Sequence, residues 1–306
     1  MNRPPFRVPA SAGRPGWWPV SRSNEKPGLS SYRSRRRGGQ WLLGAVSGLL
    51  GVFLYAPLVV VVVFSCNAAR YGTAWHGFTL RWYRALWQNP VALGAARNTL
   101  VLGLISTLLA TVLGTMLGMG LHRAPFPGRK FFAWAMLVPV VVPDIVMAVA
   151  LLLFFALGRG WFGLFELGLG TMIAAHVTFQ IPFVALVVRA RLAGLDPALH
   201  EAARDLGAGP AQAFWRVTFP LLGPGIMAGA MLAFTLSLDD FVVSFFTAGP
   251  GSGTLPILIY SSVKRGITPD INALSSLLVL ASLLATVALV LLERNEATMS
   301  NRTPNA

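Results

Sequence analysis

The stretch from Asp196 to Pro220 reads DPALHEAARDLGAGPAQAFWRVTFP, and it is the one polar, structured-looking segment in an apolar second half of the chain. Asp196 followed by Pro197 is typical of a helix start, because the carboxylate accepts from free N–H groups and proline needs no donor there. Gly207 is expected to end that helix, since glycine tolerates the left-handed conformation beyond a last helical carbonyl. A second start at residues 209–210 completes a prediction of two short helices joined by a glycine turn.

The first of these two helices has two chemically different faces. One face carries apolar residues at helical spacing, and the small ones allow another surface to approach closely: Leu199, Ala202, Ala203 and Leu206. The opposite side carries the polar residues His200, Glu201, Arg204 and Asp205. A surface hairpin with a solvated charged face gives the same pattern, so the position of this segment in the chain must decide between the two interpretations.

The composition of the chain is typical of a membrane protein. Of its 306 residues, 55% are hydrophobic and 12% are charged, against roughly 25% charged in soluble domains. Several apolar stretches each reach the roughly 20 residues that a helix needs to cross a bilayer core. Residues 1–40 are expected to form a disordered basic tail and residues 293–306 a short C-terminal tail. The six predicted spans are residues 41–66, 99–121, 131–157, 167–188, 225–248 and 273–292.

Proline and glycine residues inside these spans indicate helices packed in a bundle. Prolines are tolerated there because neighbouring helices satisfy the carbonyl groups that they free, and they occur at Pro57, Pro139, Pro143 and Pro182. Pairs of glycines four residues apart suit close helix crossings. These pairs are Gly44 and Gly48, Gly114 and Gly118, and Gly225 and Gly229.

Basic residues predict the orientation of the chain in the membrane. With the N-terminus inside, 18 of the 25 Lys and Arg residues lie on the inner side. This distribution places both termini and the polar hairpin in the cytoplasm. The first outer loop contains LRWYRALW, whose Trp82, Tyr83 and Trp87 suit a helix lying at the membrane surface.

Several classes of function are excluded by the sequence. The net charge of +14 does not indicate nucleic-acid binding, because the basic residues flank apolar spans instead of lining one soluble face. The one cysteine, Cys66, and the four scattered histidines provide no disulfide framework and no predicted metal site. The motifs GxxxxGK[ST], HExxH and GxSxG do not occur, so we expect no ATP hydrolysis and no catalytic residue in this chain. His176, inside the fourth span, is expected to be a buried, hydrogen-bonded side chain.

Carboxylates inside the predicted spans indicate a site, because an intramembrane carboxylate is costly and usually faces a cavity or a partner. Asp144 is expected near the middle of the third span, and Asp239 and Asp240 in the outer half of the fifth. A polar stripe at helical spacing accompanies them: Ser237, Asp240, Ser244 and Thr247. A water-lined path for a cation needs such a stripe, and structural ion pairing or capping would also explain it. An intramembrane aspartyl protease using Asp144 and Asp239 is a further alternative, and it leaves the hairpin unexplained.

The polar hairpin resembles the EAA motif of binding-protein-dependent ABC importer permeases, written EAA-x3-G-x9-I-x-L-P. The spacing matches throughout, with valine in place of isoleucine and phenylalanine in place of leucine. The matching residues are Glu201, Ala202, Ala203, Gly207, Val217, Phe219 and Pro220. Families with this motif use the hairpin as a coupling element that docks on a cytoplasmic ATPase. In that setting Glu201 and Arg204 are positioned for polar contacts at the rim of the docking surface.

A wider resemblance extends from about Trp41 to Leu292. Two segments, FSCNAARYGTAWHGFTLRWYRALWQN and SLDDFVVSFFTAGPGSGTLPILIYSSVKRGITPDINALSSL, are similar to the spermidine/putrescine branch of these permeases. The resemblance implies an all-α, six-helix, type I importer permease fold with a cytoplasmic coupling hairpin between the fourth and fifth helices. It also implies three partners: a second permease subunit, a dimeric ATPase that holds ATP and Mg²⁺, and an external substrate-binding protein. The expected function is polyamine import across the bacterial inner membrane with no cofactor bound by this chain, and import of another small solute stays open.

Overall fold

The computed structural model describes residues 29–69, 74–123, 126–196, 198–265 and 269–300, and most of these residues are helical. Helices suit an apolar chain because each backbone polar group is paired within its own segment. One isolated antiparallel bridge joins Asn67 to Phe78. The helices of the described part are α1 (Leu29–Ser65), α2 (Arg81–Trp87), α3 (Pro90–Arg123), α4 (Arg129–Ala135), α5 (Val138–Val141), α6 (Asp144–Phe162), α7 (Leu169–Ala193), α8 (Ala198–Asp205), α9 (Pro210–Ala213), α10 (Phe219–Asp239), α11 (Val242–Thr247), α12 (Leu255–Arg265) and α13 (Pro269–Ser300), with a π-helical turn at Phe214–Thr218 between α9 and α10.

The chain divides into two compact units, Met1–Ala56 and Pro57–Ala306. In the first unit the described residues form the N-terminal part of α1, whose large apolar side chains between Leu43 and Tyr55 are exposed. Exposed apolar side chains on a long helix are typical of a segment that faces lipid. The second unit contains the other helices and every candidate site residue.

Both predicted tails are in part helical. Residues 1–28 and 301–306 of these tails lie outside the described residues. Residues 29–40 begin α1 and residues 293–300 end α13, so the helices extend beyond the predicted spans on both sides. A helix that has already formed in a span extends easily, because each further residue adds one hydrogen bond without a new nucleus.

Five helices of the described part are long and apolar enough to cross a membrane: Leu43–Ser65, Pro90–His122, Asp144–Trp161, Leu169–Ala193 and Pro210–Asp239. The last predicted span, 273–292, lies within α13, of which Pro269–Ala281 is a shorter apolar helix. The all-α membrane fold is therefore confirmed, and the count of six spans stays a prediction.

The centre of the second unit is formed by α3, α7 and α10. Gly114 and Gly118 of α3 face the backbone of α7, where a side chain on Gly114 would lie 2.9 Å from the carbonyl oxygen of Ile181. Gly229 of α10 contacts Val184 of α7 in the same way. The packing role predicted for these two glycine pairs is confirmed, because the absent side chains let the helix backbones approach closely. The remaining pair, Gly44 and Gly48, is in α1, and a Cβ on either of them would meet nothing within 4 Å.

A layer of shorter helices packs around the start of α3. Helices α2 and α12 and the start of α13 share a buried core there: Leu86, Ala92, Ala95, Leu255, Ala273 and Leu274. Trp82 and Tyr83 of α2 are half-buried against this core, and Trp82 Nε1 donates to the carbonyl oxygen of Asn67 at 2.8 Å. Trp87 is 80% exposed. Of the three aromatic residues predicted to face a membrane surface, Trp87 is therefore the one whose ring lies on the outside.

The third predicted span, 131–157, is not one helix. It is divided into α4, α5 and α6, because Pro139 and Pro143 each lack the N–H that a continuous helix needs. Val142 is extended between α5 and α6, with φ −72° and ψ 134°. The prediction that Asp144 lies near the middle of a helix is therefore wrong, since Asp144 is the first residue of α6.

The fifth predicted span, 225–248, is also interrupted. Helix α10 ends at Asp239, and Asp240 has φ −65° and ψ 122°, which is extended backbone. Helix α11 begins two residues later, at Val242. The predicted polar stripe therefore lies across a break between two helices and not along one of them.

Candidate coupling hairpin and intramembrane polar site

The polar stretch forms the helical hairpin that its sequence predicts. Asp196 Oδ1 accepts a hydrogen bond from the Ala198 N–H at 2.9 Å, so it caps the start of α8. Gly207 has φ +82° beyond the end of α8. The N–H of Ala208 donates to the carbonyl oxygen of Ala203 at 3.0 Å, which is the helix ending that a left-handed glycine permits.

The second arm of the hairpin is continuous with a membrane helix. Gly209 precedes α9, whose first residue is Pro210, and α9 passes through the π turn into α10. In the π turn the Phe219 N–H donates to the carbonyl oxygen of Phe214, five residues earlier. Pro220 explains the wider turn, because a proline has no N–H and would clash with the carbonyl group four residues earlier in an α-helix. The second predicted short helix is thus the first turn of a longer rod.

Most positions of the motif are on the surface of the hairpin. Ala203 is 9% exposed and faces inward, whereas Glu201, Ala202 and Arg204 are exposed. Leu206 is 89% exposed. The two alanines therefore serve different purposes, since Ala203 packs the hairpin onto its own helices and Ala202 lies on the outer face beside an exposed leucine.

A cavity of about 390 Å³ lies between the hairpin and the adjoining ends of α3, α7 and α10. Glu201 and Arg204 line it from α8, and His122 lines it from the end of α3. Val217, a half-buried residue of the π turn, lines it from the opposite side. Glu201 and Arg204 therefore lie at the edge of a recess.

The second half of the motif is part of an aromatic cluster. The rings of Phe214 and Phe219 are 6.2 Å apart, and those of Trp215 and Phe219 are 5.0 Å apart. Trp215 and Phe219 are exposed, as is Pro220. The π turn therefore carries a surface of large rings next to the exposed face of α8.

Asp240 lies at the break between α10 and α11 and accepts hydrogen bonds from the first turn of α11. Its Oδ2 accepts from the Ser244 N–H at 2.7 Å, and its Oδ1 accepts from the Val243 N–H at 3.2 Å. Both N–H groups are in the first turn of α11, where a helix has donors without partners of its own. His176 of α7 adds a third contact, with Nε2 3.3 Å from Asp240 Oδ2. Asp240 therefore makes the capping and pairing contacts that a structural role requires.

His176 is the centre of a buried polar network and is itself 2% exposed. Its Nε2 lies 3.0 Å from Ser244 Oγ, and its Nδ1 lies 2.9 Å from Ser237 Oγ. Ser237 Oγ lies 3.3 Å from Ser106 Oγ on α3, and Gln180 Nε2 donates to Ser106 Oγ at 3.4 Å. The network joins α3, α7, α10 and α11, and the prediction that His176 is a buried, hydrogen-bonded side chain is confirmed.

Three residues of this network share the connectivity of a Ser–His–Asp triad: Ser237, His176 and Asp240. A nucleophilic serine has to reach its substrate, whereas Ser237 and His176 are both buried. The arrangement therefore holds helices together and is not a reactive site.

Asp144 and Asp239 are exposed, unlike Asp240. Asp144 is in the first turn of α6, and Asp239 is the last residue of α10. The carboxylate of Asp239 lies within electrostatic range of those of Asp240 and Asp144. The structure therefore brings the three predicted carboxylates into one region and separates them by their exposure.

Comparison with known proteins agrees with this geometry. Residues 110–296 match the family described as the binding-protein-dependent transport system inner membrane component. The chain is 39% identical over 258 residues to the spermidine/putrescine transport system permease protein PotC of Escherichia coli (strain K12), covering 84% of this chain and 96% of PotC. It is 40% identical over 235 residues to the putrescine transport system permease protein PotI of the same strain, covering 75% of this chain and 83% of PotI.

Solved structures of transporters share the fold. A chain of a bacterial ABC transporter that imports the acidic polysaccharide alginate aligns with a TM-score of 0.65 at 20% identity, covering 89% of this chain and 99% of that one. A chain of an amino acid ABC transporter aligns with a TM-score of 0.55 at 20% identity, covering 71% of this chain and all of that one. The fold is that of a type I ABC importer permease.

The fold and the hairpin define a multi-pass helical membrane protein of the ABC importer class. The chain belongs to the family of inner membrane components of binding-protein-dependent transport systems. It is a permease subunit of the inner membrane, and members of this family leave ATP hydrolysis to a separate ATPase, so the chain is not an enzyme. The alternative of an intramembrane aspartyl protease is set aside on this finding.

Proposed function

We propose that this chain is the permease subunit of an ATP-driven importer that moves polyamines, spermidine or putrescine, from a binding protein into the cytoplasm. Similarity to PotC and PotI over three quarters or more of the chain supports this class of solute. The observation that carries the coupling role is the exposed hairpin that continues through a π turn into α10. A permease for another small solute has the same hairpin, so the solute is tested separately.

The hairpin docks on a dimeric cytoplasmic ATPase, which binds ATP and Mg²⁺ in place of this chain. Exposed Ala202 and Leu206 provide the close apolar contact, and Glu201 and Arg204 provide polar contacts at its rim. Closure of the ATPase dimer moves the hairpin, and the movement reaches the membrane core because α9 and α10 form one rod. A second permease subunit completes the path, and the external binding protein delivers the solute to its outer mouth.

The intramembrane residues form the wall of the cation path. Asp144 and Asp239, which are exposed, attract the ammonium groups of a polyamine in transit. Ser237, Asp240 and Ser244 keep that wall in shape, since they are bonded to His176 or to the first turn of α11. A path that binds weakly at more than one position allows the solute to leave again.

The orientation follows from the basic residues. Both termini and the hairpin lie in the cytoplasm, since 18 of 25 Lys and Arg residues then lie inside. The exposed aromatic rings next to the hairpin, including Trp215, support an inner surface that is covered by a partner.

The experiment that tests coupling compares two charge reversals on α8. Labelled putrescine and spermidine uptake is measured with the assembled complex, its binding protein and ATP, in proteoliposomes. Glu201→Lys is expected to abolish ATP-dependent uptake without loss of membrane insertion, because it reverses a charge at the rim of the docking surface. Asp205→Lys, an exposed residue of the same helix outside the motif, is the matched control and is expected to retain uptake.

The same assay separates the alternatives. Uptake of an amino acid or a sugar in preference to both polyamines would contradict the proposed solute and leave the coupling role in place. Uptake by Glu201→Lys at the rate of the control would contradict the coupling role, as would uptake that needs no ATP.

A further inference from the structure

At the break between α10 and α11, the chemistry of the groups determines which atom of each hydrogen bond donates and which accepts. An ionised carboxylate can only accept, so the ring proton that faces Asp240 is on Nε2, and Ser244 Oγ, 3.0 Å away, lies within reach of the same N–H. In the neutral imidazole Nδ1 is then an acceptor, and the Ser237 hydroxyl, 2.9 Å away, donates to it. The orientation of the ring is thereby fixed from both sides.

The same direction continues to the other end of the network. The side-chain amide nitrogen of Gln180 can only donate, so Ser106 Oγ accepts from it at 3.4 Å. The Ser106 hydroxyl then donates to Ser237 Oγ at 3.3 Å. The Ser106 and Ser237 hydroxyls therefore each receive one hydrogen bond and give one. Gln180 Oε1 is a buried oxygen without a hydrogen-bond partner among the described residues.

Two adjacent carboxylates lie in different surroundings as a result. The side chain of Asp240 is 11% exposed, and its two oxygens accept from the backbone at the start of α11. Asp239 is exposed. Because Asp240 determines where α10 ends, it also determines the direction in which the Asp239 side chain leaves the helix.

We propose that His176 is a positioning residue for the cation path: it holds Asp240 against α7 and so reserves Asp239 as the carboxylate that the passing cation meets. The identity of the cation rests on the proposed function. A neutral polar side chain of similar length can replace His176, because it still donates to Asp240 and accepts from Ser237. A small apolar side chain cannot, because Asp240 would lose its partner on α7.

The first test measures transport with the assembled complex in proteoliposomes. His176→Ala removes both ring contacts, and His176→Gln keeps a donor and an acceptor. We expect His176→Ala to lower polyamine uptake at saturating binding protein by about tenfold, the scale of one lost hydrogen bond to a charged group. His176→Gln is expected to stay within about threefold of the wild type, since a good replacement bond recovers most of that loss. Thr178→Ala, an exposed position of the same helix, is the control and should transport normally.

A readout of ATP hydrolysis separates positioning from misfolding. The hairpin is at the far end of α7 from His176, and distant sites act nearly independently. Hydrolysis by the assembled complex without the binding protein is therefore expected to change by less than about twofold in His176→Ala. Loss of hydrolysis and uptake together in both His176 variants would overturn the positioning role, because it would mean that the ring only supports the fold.

The second test reports on α11 without any transported solute. Cys66 is the one cysteine, so Cys66→Ser provides a background for single reporters. Val243→Cys is a buried reporter on α11, where the residue is 1% exposed, and Phe245→Cys is an exposed reporter on the same helix, where the residue is 50% exposed. Adding His176→Ala is expected to raise the labelling rate of the buried reporter by a water-soluble thiol reagent about tenfold or more, and the exposed reporter is expected to label at an unchanged rate.

The outcomes are distinct. Faster labelling of the buried reporter with His176→Ala but not with His176→Gln supports the proposal. An unchanged rate with His176→Ala overturns it, as does wild-type uptake by that variant. If His176→Ala does not assemble, Ser237→Ala removes the bond that orients the ring at Nδ1. It is expected to raise the labelling rate of the buried reporter about threefold or more, and an unchanged rate overturns the proposal. Because labelling needs no solute, it decides the positioning role even where the polyamine assignment fails.

Discussion

Gly114 lies at a close crossing of α3 and α7, and its replacement by alanine is the perturbation whose size follows most directly from the structure. A Cβ at this position would lie 2.7 Å from the Val184 Cβ and 2.9 Å from the Ile181 carbonyl oxygen. Carbon atoms in contact prefer about 3.5–4.0 Å. The oxygen belongs to the backbone, so no rotation of a side chain relieves the contact and the two helices must move apart by roughly 1 Å.

The expected cost follows from that displacement. Overpacking of a close interface costs about 1–3 kcal/mol, and alanine returns up to about 1 kcal/mol of helix propensity relative to glycine. The net destabilisation by Gly114→Ala is therefore about 1–2 kcal/mol. Gly120 is the matched control on the same helix, since a Cβ there would meet nothing within 4 Å. Gly120→Ala is expected to be neutral or stabilising by up to about 1 kcal/mol.

Both variants are compared with the wild type by titrating the purified complex in mild detergent with a denaturing detergent and following loss of helix. The free energy of unfolding should fall for Gly114→Ala and hold or rise for Gly120→Ala. Equal behaviour of the two variants would refute the close crossing of α3 and α7. Greater stability of Gly114→Ala would refute it as well, because an uncrowded glycine is the position at which alanine stabilises.

Three further predictions concern the hairpin and the loop of residues 248–254 between α11 and α12. Gly207→Ala is expected to raise amide hydrogen exchange in α8 about 5–30-fold, because the φ of +82° costs an L-residue roughly 1–2 kcal/mol, while Gly209→Ala, with φ −67°, should leave exchange unchanged. Pro220→Ala restores an N–H, so the π turn is expected to close into an α-helix and rotate α8 relative to α10 by about 100°. Distances between spin labels on α8 and α10 measure this rotation, and unchanged distances contradict the prediction. Asn98→Ala removes the bonds from Nδ2 to the carbonyl oxygens of residues 251 and 253, at 2.9 and 3.0 Å, and each bond is worth about 1 kcal/mol. Faster proteolysis of the loop that contains these two residues is expected, and an unaltered cleavage rate would show that the two bonds do not hold it.

The membrane helices and the hairpin could be predicted because their signals are local. Length and hydropathy alone identify a span, and Asp196 and Gly207 mark the two ends of α8 through their own backbone chemistry. Breaks inside spans are a different problem. Pro57 and Pro182 are inside continuous helices, whereas Pro139 and Pro143 lie at boundaries between short ones, and composition does not distinguish a tolerated proline from one that ends a helix.

The contacts of the polar network depend on the tertiary structure. Asp240 and His176 are 64 residues apart in the sequence and meet only because α10 and α11 cross α7. The sequence alone shows the polar stripe in the fifth span and one ionisable residue, His176, in the fourth span. Helical spacing could not pair them, because the helix that would carry the stripe is broken at Asp240 itself.

The central claim is that the outer face of α8 is an inner-surface docking site for the ATPase, and Ala202→Cys in the Cys66→Ser background tests it most directly. Inverted and right-side-out membrane vesicles are treated with a thiol reagent that does not cross membranes. Labelling is predicted in inverted vesicles alone and is expected to fall when the ATPase subunit is added. Labelling of Ala202→Cys from the outer side of right-side-out vesicles would contradict the account.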